Sequence, residues 1–428
     1  MSSDATRRAV VIPPPAAHVR RTVLPNGLRV LTDLVAGAPS STIAVWVGVG
    51  GRDEPEPSAG ASHFLEHLLF KGTGSRDALD IALSIDGVGG DMNAYTASEY
   101  TAYFARVPAT EVQVALDVLL DVVAEPALRE SEVEGEREVI LEELAAADDD
   151  PEDLVGVRLF ESLFPEHPLG REVLGTEQSI ESLSRADVAA FFTTWYHPAN
   201  LVITGSGQVD HDHLVAEVEA HFGDVAAGPR PSRTAPGSMV VPSVSEQRPV
   251  ELVHLALGWR TAGANDPDRF ALTVLNHVFG TGPSSRLFQE VREHRGLTYS
   301  ITSGVSHYSD AGALTVQCAT SRDKAPQVLD VVAEQVDDLR TNGITPDELV
   351  RAKRALRGGL LLGLEDSGSR GARLGVSETV RGRITPLEEH LAAIDAVTSE
   401  DIVAVARRVL DSPQALAVVG PGDLDHLL

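Results

Sequence analysis

The stretch His63-Phe-Leu-Glu-His67 sets two imidazoles four residues apart, with the carboxylate of Glu66 between them. On a helix, at ~100° per residue, His63, Glu66 and His67 fall within an arc of roughly 100° and project from one face. Phe64, Leu65, Leu68 and Leu69 cover the rest. Two imidazoles one turn apart can hold a single zinc ion, and a carboxylate beside the metal need not bind it and can serve as a base toward water. Two packed core histidines with an incidental glutamate would be the plain alternative. That arrangement strands an ionised Glu66 on an otherwise apolar helix, which is costly. A catalytic zinc takes three protein ligands and keeps one position open, so a further ligand must come from elsewhere. The segment following Ser131 offers Glu136 and Glu143, seven residues apart and therefore on one helical face two turns distant. Glu138 and Glu142 point away from that face and read as solvated surface.

These side chains need scaffolding elements. A helix is expected between Ser58 and Lys71, with Ser58 as its cap and Gly72 as its stop, and a second amphipathic helix over Ala78 to Ile85. Ser131-Glu-Val-Glu134 has capping-box spacing, so a helix should begin there and run to about Ala147, before Asp148-Asp-Asp-Pro151. Strands are expected at Leu28-Arg-Val-Leu-Thr, after the Pro25-Asn-Gly turn, and at Thr42-Ile-Ala-Val-Trp-Val-Gly-Val. The alternating runs Asp91-Met-Asn-Ala-Tyr-Thr and Glu99 to Val107 give two more.

Chain length, 428 residues, exceeds what one core usually organises and suggests two domains. A Pro-, Gly- and Ser-rich stretch around Gly228-Pro-Arg-Pro-Ser-Arg-Thr-Ala-Pro-Gly237 reads as a linker spanning 225–247, between domains at 19–224 and 248–428. Segments on its two sides echo one another in the same order. Asp117-Val-Leu-Leu-Asp-Val-Val before the Ser131 helix resembles Val328-Leu-Asp-Val-Val before Thr345-Pro-Asp-Glu. Gly90-Asp-Met-Asn-Ala-Tyr likewise resembles Gly296-Leu-Thr-Tyr-Ser-Ile. Two copies of one α+β unit follow, each a largely antiparallel sheet packed with helices.

With 43% hydrophobic and 23% charged residues, the composition is that of a globular protein. The formal charge of −28 disfavours nucleic acid and anionic membrane as partners, and basic or neutral substrates fit better. No apolar run is long enough for a membrane-spanning helix. The lone Cys318 cannot form an internal disulfide. Residues 1–18, with Arg7, Arg8 and Pro13-Pro14-Pro15, lack the apolar centre of a secretion signal and read as a loose tail of a cytoplasmic protein.

The chain resembles the pitrilysin or insulinase zinc peptidases, whose HxxEH reverses the commoner HExxH. The resemblance rests on Gly60-Ala-Ser-His-Phe-Leu-Glu-His-Leu-Leu-Phe-Lys-Gly-Thr73, Asn93-Ala-Tyr-Thr96 and Glu136-Arg-Glu-Val-Ile-Leu-Glu-Glu143, and continues past the linker. It implies zinc, one per chain, with Glu143 as the third ligand, Glu136 supporting the site from behind, and Glu66 activating the water that attacks a peptide bond. It implies that Asn93, Ala94, Tyr95 and Thr96 form an edge strand on which substrate lies. Within Ser284 to Tyr299, Arg292 and Tyr299 match a family arginine and tyrosine needed for catalysis, suited to stabilise charge developing on a carbonyl oxygen. The length resembles the short branch that includes mitochondrial processing peptidase and bacterial two-domain proteases, in which two chains close a chamber. A homodimer is implied, with Arg292 and Tyr299 completing the site of the other subunit. The second half carries no HxxEH. The rival expectation is a catalytically weak structural or assembly subunit, as in family members that keep the fold with damaged sites.

Overall fold

The computed structural model describes residues 19–428, so the tail read at 1–18 lies outside the described residues. The first half builds a six-stranded sheet from β1 (Val19–Val23), β2 (Arg29–Leu34), β3 (Ser40–Val47), β4 (Asp91–Thr96), β5 (Thr101–Pro108) and β6 (Leu201–Gly207). Its order is β1-β2-β6-β3-β5-β4, antiparallel throughout except for the parallel pair β2 and β6. The second half builds five strands, β7 (Ser243–Gln247), β8 (Val253–Thr261), β9 (Thr298–His307), β10 (Gly312–Thr320) and β11 (Gln414–Gly420), in the order β7-β11-β8-β10-β9. Again one pair, β7 with β11, is parallel and the others antiparallel. Strand for strand, β7, β8, β9, β10 and β11 repeat the roles of β2, β3, β4, β5 and β6. The fold is therefore α+β and internally duplicated, with β4 and β9 at equivalent sheet edges. The stretch read as linker includes β7, so residues 243–247 form part of the second sheet.

In the first half, helices α1 (Ala61–Leu69), α2 (Ala78–Asp86), α3 (Val112–Ala124) and α4 (Glu130–Asp149) follow the strand order. One face of the sheet, through Ile43, Val45 and Val47 of β3, packs with Phe64, Leu65 and Leu68 of α1 and Leu116 and Leu119 of α3 in one buried core. The other face is covered from across the molecule. The helix Ser367–Arg381 of the second half lies on β3 and β6, with Leu374 in a cluster with Leu31, Ala44, Trp46 and Val202. Reciprocally, α5 (Pro151–Leu163) lies on β8 and β11, where Leu154, Leu159 and Leu163 meet Ala256, Ala415 and Ala417. Each such leucine contributes about 1.5–3 kcal/mol of burial, so the exchanged helices bind the halves together. Small residues allow the close approach. A Cβ added at Gly375 would come within 2.0 Å of the Trp46 ring, and one at Gly258 within 2.8 Å of Leu163.

A buried ionic cluster joins the halves at the same seam. Arg52 bonds Glu99 at 2.6 Å and Asp310 at 2.7 Å, and donates to the Thr234 carbonyl. Arg233 pairs with Asp53 at 2.7 Å, and Glu99 also accepts from the Ser309 amide and hydroxyl. Arg52 and Glu99 side chains are both 2% exposed, so removing one partner alone would leave a buried charge uncompensated.

Two helix starts differ from the sequence reading. Ser58 belongs to a separate 3-10 turn (Glu56–Ser58) and bonds Pro55, while α1 begins at Ala61 behind Gly60 at φ 88°. Its cap is Glu54, whose buried carboxylate accepts from the amides of Gly60 and Ser62, both at 2.7 Å. The helix α4 begins at Glu130, and Ser131 and Glu134 form no capping box. Arg129 anchors that start by donating to the carbonyls of Lys71 and Thr73, while Glu134 pairs with Arg137. Tertiary bonds to the end of α1 thus displaced a local cap.

Candidate metal centre and substrate groove

Val133, Glu136, Ile140 and Glu143 recur every three or four residues along α4, and the first three are buried. This stripe lies against α1, bringing Glu143 over the two histidines. His63 Nε2 and His67 Nε2 are 3.3 Å apart, and Glu143 Oε2 stands 3.6 Å from the first and 3.5 Å from the second. Bonds of ~2.0–2.1 Å in a regular tetrahedron put ligand atoms ~3.3–3.4 Å apart, so this triangle fits one zinc ion within a few tenths of an ångström. Among the described residues these three form the group of metal-ligand type.

The protonation states suit a cation. His67 Nδ1 lies 3.0 Å from Glu136 Oε2, and the other Glu136 oxygen meets Lys71 Nζ at 2.6 Å. A carboxylate paired in this way accepts, so Nδ1 carries the proton and Nε2 turns a lone pair toward the triangle. His63 is held neutral: burial, and then the nearby His67, push its pKa down to about 4. Its Nδ1 is buried with no protein partner.

Glu66 stands beside the triangle and is tied to the sheet edge, with Thr96 Oγ1 donating to its Oε2 at 2.5 Å. Burial raises its pKa above the usual carboxylate range, and Glu143 adds to this. Thr96 and His67 oppose the rise. The partner absent from the helix face is thus supplied by β4.

His63, Glu66 and Glu143 open into a groove of about 1230 Å³ that also receives Ala94, Tyr95 and Thr96. Asn93 is on the same strand but outside the groove lining. β4 is the sheet's edge, paired only with β5, so one row of its backbone groups faces away from the sheet, and on that row the Ala94 amide donates to Asn93 Oδ1 at 2.8 Å. α5, residues 169–177 and Tyr308 also line the groove. Neither the 169–177 segment nor Tyr308 carries a motif. Tyr308 could have been found only by noticing that the repeat places the β9–β10 turn opposite the β4–β5 turn.

Arg292 and Tyr299 are adjacent to one another but not to this groove. Arg292 lies on the π-helical turn Phe288–Glu293, its guanidinium 4.6 Å from the Phe288 ring and 5.0 Å from the Tyr299 ring. Tyr299 is 85% exposed near the start of β9, whereas Tyr308 follows its far end. Nine residue steps separate them, about 30 Å at ~3.3 Å per step. Within one chain the structure therefore brings together His63, His67, Glu143, Glu66, Glu136, Ala94, Tyr95 and Thr96, and leaves Asn93, Arg292 and Tyr299 outside the groove lining.

Among the described residues no helix is long and apolar enough to cross a membrane. Two family models match, "Insulinase (Peptidase family M16)" over residues 29–177 and "Peptidase M16 inactive domain" over residues 182–356. A Mycobacterium tuberculosis protein named an uncharacterized zinc protease is 45% identical over 420 residues, covering 97% of this chain and 96% of its own. Another so named, from Bacillus subtilis, is 34% identical over 403 residues, covering 94% and 98%. The crystal structure of a protease from Helicobacter pylori superposes with a TM-score of 0.88 at 23% identity, over 95% of this chain and all of that one, and so agrees in fold. A half that holds the complete metal triangle, followed by a duplicated half without it, is what these two models divide between them, and the chain belongs to the insulinase peptidases, family M16.

Proposed function

We propose that this protein is a zinc metalloendopeptidase that hydrolyses peptides or small unfolded polypeptides inside a chamber closed by two copies of the chain. The carrying observation is the triangle of His63, His67 and Glu143 with Glu66 beside it on the same helix face. Zinc held by those three residues supplies a Lewis acid that acidifies a water molecule and polarises a scissile carbonyl. Glu66 takes the proton from the attacking water and returns it to the leaving amine. Thr96 engages only Oε2 of Glu66, and its raised pKa suits a group that must both accept and give back a proton. Glu136 holds His67 in the ligating tautomer.

The free edge of β4 receives substrate as an added strand, so that Asn93, Ala94, Tyr95 and Thr96 pair with peptide backbone and lead it toward Glu66. Backbone pairing tolerates many sequences. Acidic groups on the groove wall, among them Asp148, Asp153, Glu172 and Glu177, favour basic or neutral peptides. Arg292 and Tyr299 act in the site of the partner copy, a role supported by the exposure of Tyr299 and by the absence of both from the groove lining of their own chain. A homodimer with one zinc per chain, in the cytoplasm, completes the reading. The test is zinc analysis coupled to digestion of a mixed peptide library, followed by mixing Glu66→Gln chains with Tyr299→Phe chains. Mixed dimers should regain about one working site. No regain in verified mixed dimers refutes the exchange between copies.

A further inference from the structure

A second cavity, about 650 Å³, lies away from the metal groove at the outer seam of the halves. Its walls are β1 and β2 of the first sheet on one side, and the helix Ser367–Arg381 with the segment following it on the other. Arg21, Arg370, Arg373 and Arg383 open onto it, against two carboxylates, Asp33 and Glu378.

Those two carboxylates are already engaged. Arg21 grips Glu378 through two nitrogens at 3.1 and 2.7 Å, and Arg370 bonds Asp33 at 2.8 Å. Arg373 and Arg383 have no carboxylate within 4.0 Å among the described residues. Arg373 is partly buried and donates to the Thr385 carbonyl. Behind it, Arg381 reaches the Thr385 hydroxyl at 2.9 Å, while its Nε is buried without a partner, as is the hydroxyl of Thr379. Burial first, and then Arg269, Arg383 and Arg373, push Arg381 down to about 10. This is a local excess of cations in a chain whose net charge is −28.

Arg373 is partly out of water and Arg383 is exposed, and a guanidinium removed from water costs stability unless an anion meets it. Direct ion pairs engage Arg21 and Arg370; Arg373 has none, although the charges of Asp33 and Glu388 favour its cation, and Arg383 is exposed. Around the charges the wall is apolar, with Val19, Leu364, Ile384 and Leu387. Planar guanidinium forks match the oxygens of carboxylate or phosphate, and the apolar wall matches a hydrocarbon body.

We propose that this cavity binds a small organic anion, whose carboxylate or phosphate is held between Arg373 and Arg383 and whose apolar part rests on Leu364, Ile384 and Leu387. Because its walls come from both halves, an occupant would also brace the seam at which they meet. A free peptide C-terminus and a phosphorylated metabolite share this chemistry, and the probes separate them.

The full chain is titrated calorimetrically at physiological ionic strength with three probes: pyrophosphate, a leucyl-phenylalanine dipeptide with free carboxylate, and the same dipeptide amidated. Digestion is blocked by using Glu66→Gln. Saturable binding of either anionic probe, with at least tenfold weaker binding of the amide, is expected. Pyrophosphate alone would indicate a phosphate ligand, and the free dipeptide alone a carboxylate. The double variant Arg373→Gln/Arg383→Gln, made in the same background, should lose at least tenfold in affinity. Arg383→Gln alone, which removes an exposed cation and spares the bond from Arg373 to the Thr385 carbonyl, should also weaken binding severalfold and should unfold no earlier than its parent when ligand is absent. Absence of saturable binding by both anions refutes the proposal, as does undiminished binding in the double variant. An Arg383→Gln variant that unfolds earlier without ligand shows that this arginine is structural, and also refutes it.

Discussion

Replacing Glu136 by glutamine changes one atom and tests how the metal site is supported. Glu136 is 7% exposed, with one oxygen 3.0 Å from His67 Nδ1 and the other 2.6 Å from Lys71 Nζ. The amide keeps the volume but cannot serve both neighbours, because one end now donates. If its oxygen faces His67, the NH2 group confronts the Lys71 ammonium. If it turns over, the NH2 group confronts Nδ1 and favours the tautomer with its proton on Nε2, the atom that faces His63 and Glu143. In the better orientation a charge-assisted bond of ~1.5–3 kcal/mol becomes a neutral one of ~0.5–1.5. A loss near 1.4 kcal/mol is tenfold in an equilibrium constant, and outer partners of ligating histidines are generally worth ~10–100-fold in metal affinity. Competition with a chromophoric zinc chelator should therefore show Glu136→Gln binding zinc roughly 10–100-fold more weakly. Glu142→Gln, on the exposed side of the same helix, should bind as the wild type does. A Glu136→Gln affinity within twofold of wild type would refute the tautomer argument, and so would an equal loss in Glu142→Gln.

Glu66→Gln should retain zinc and lose peptide hydrolysis by at least ~10²-fold, the usual worth of a proton-transfer group, whereas His67→Ala should lose both. Equal zinc loss in the two variants would undo the separation of base from ligand. Gly375→Ala puts a Cβ 2.0 Å from the Trp46 ring, where neither the ring nor the exchanged helix has room to shift. It should cost on the order of 3 kcal/mol in denaturant unfolding, and an unchanged midpoint would count against the helix exchange as a rigid contact. Acid stability should depend on Glu348. Burial alone would raise its carboxyl, but bonds from Arg286 and from the Thr345 amide and hydroxyl bring it down to about 2. A carboxyl with a depressed pKa contributes fully above its ordinary value near 4.5, and the contribution is lost as pH falls toward 2. The stability gap between wild type and Glu348→Gln, on the order of 1–2 kcal/mol at pH 6 once solvent screening is allowed for, should narrow on titration to pH 3, and a constant gap would refute the coupling.

How far the sequence could be read depended on whether its signals were local. His63, Glu66 and His67 announce their shared face through helical spacing alone, and Glu136 and Glu143 through a seven-residue interval. What spacing could not supply was the crossing of α4 over α1, which sets one of two acidic candidates, Glu143, over Nε2 and the other, Glu136, behind Nδ1. The duplication was visible as echoes such as Asp117 to Val123 against Val328 to Val332, and the matching strand orders bear that out. The exchange of α5 for the helix Ser367–Arg381 left no such echo, because each packs on a sheet remote in sequence and the fit depends on glycines and alanines. Helix starts failed for a related reason. Ser58 and Ser131 carry the right side chains for caps, yet Glu54 and Arg129 hold those ends through bonds that exist only after α1, α4 and their connecting loops are assembled. Tyr308 shows the same limit at the groove itself. A tyrosine in a strand-to-strand turn carries no chemical signature, and it lines the groove into which His63 and Glu66 open only because the repeat sets the β9–β10 turn against the β4–β5 turn, with the Arg52, Glu99 and Asp310 cluster joining the two.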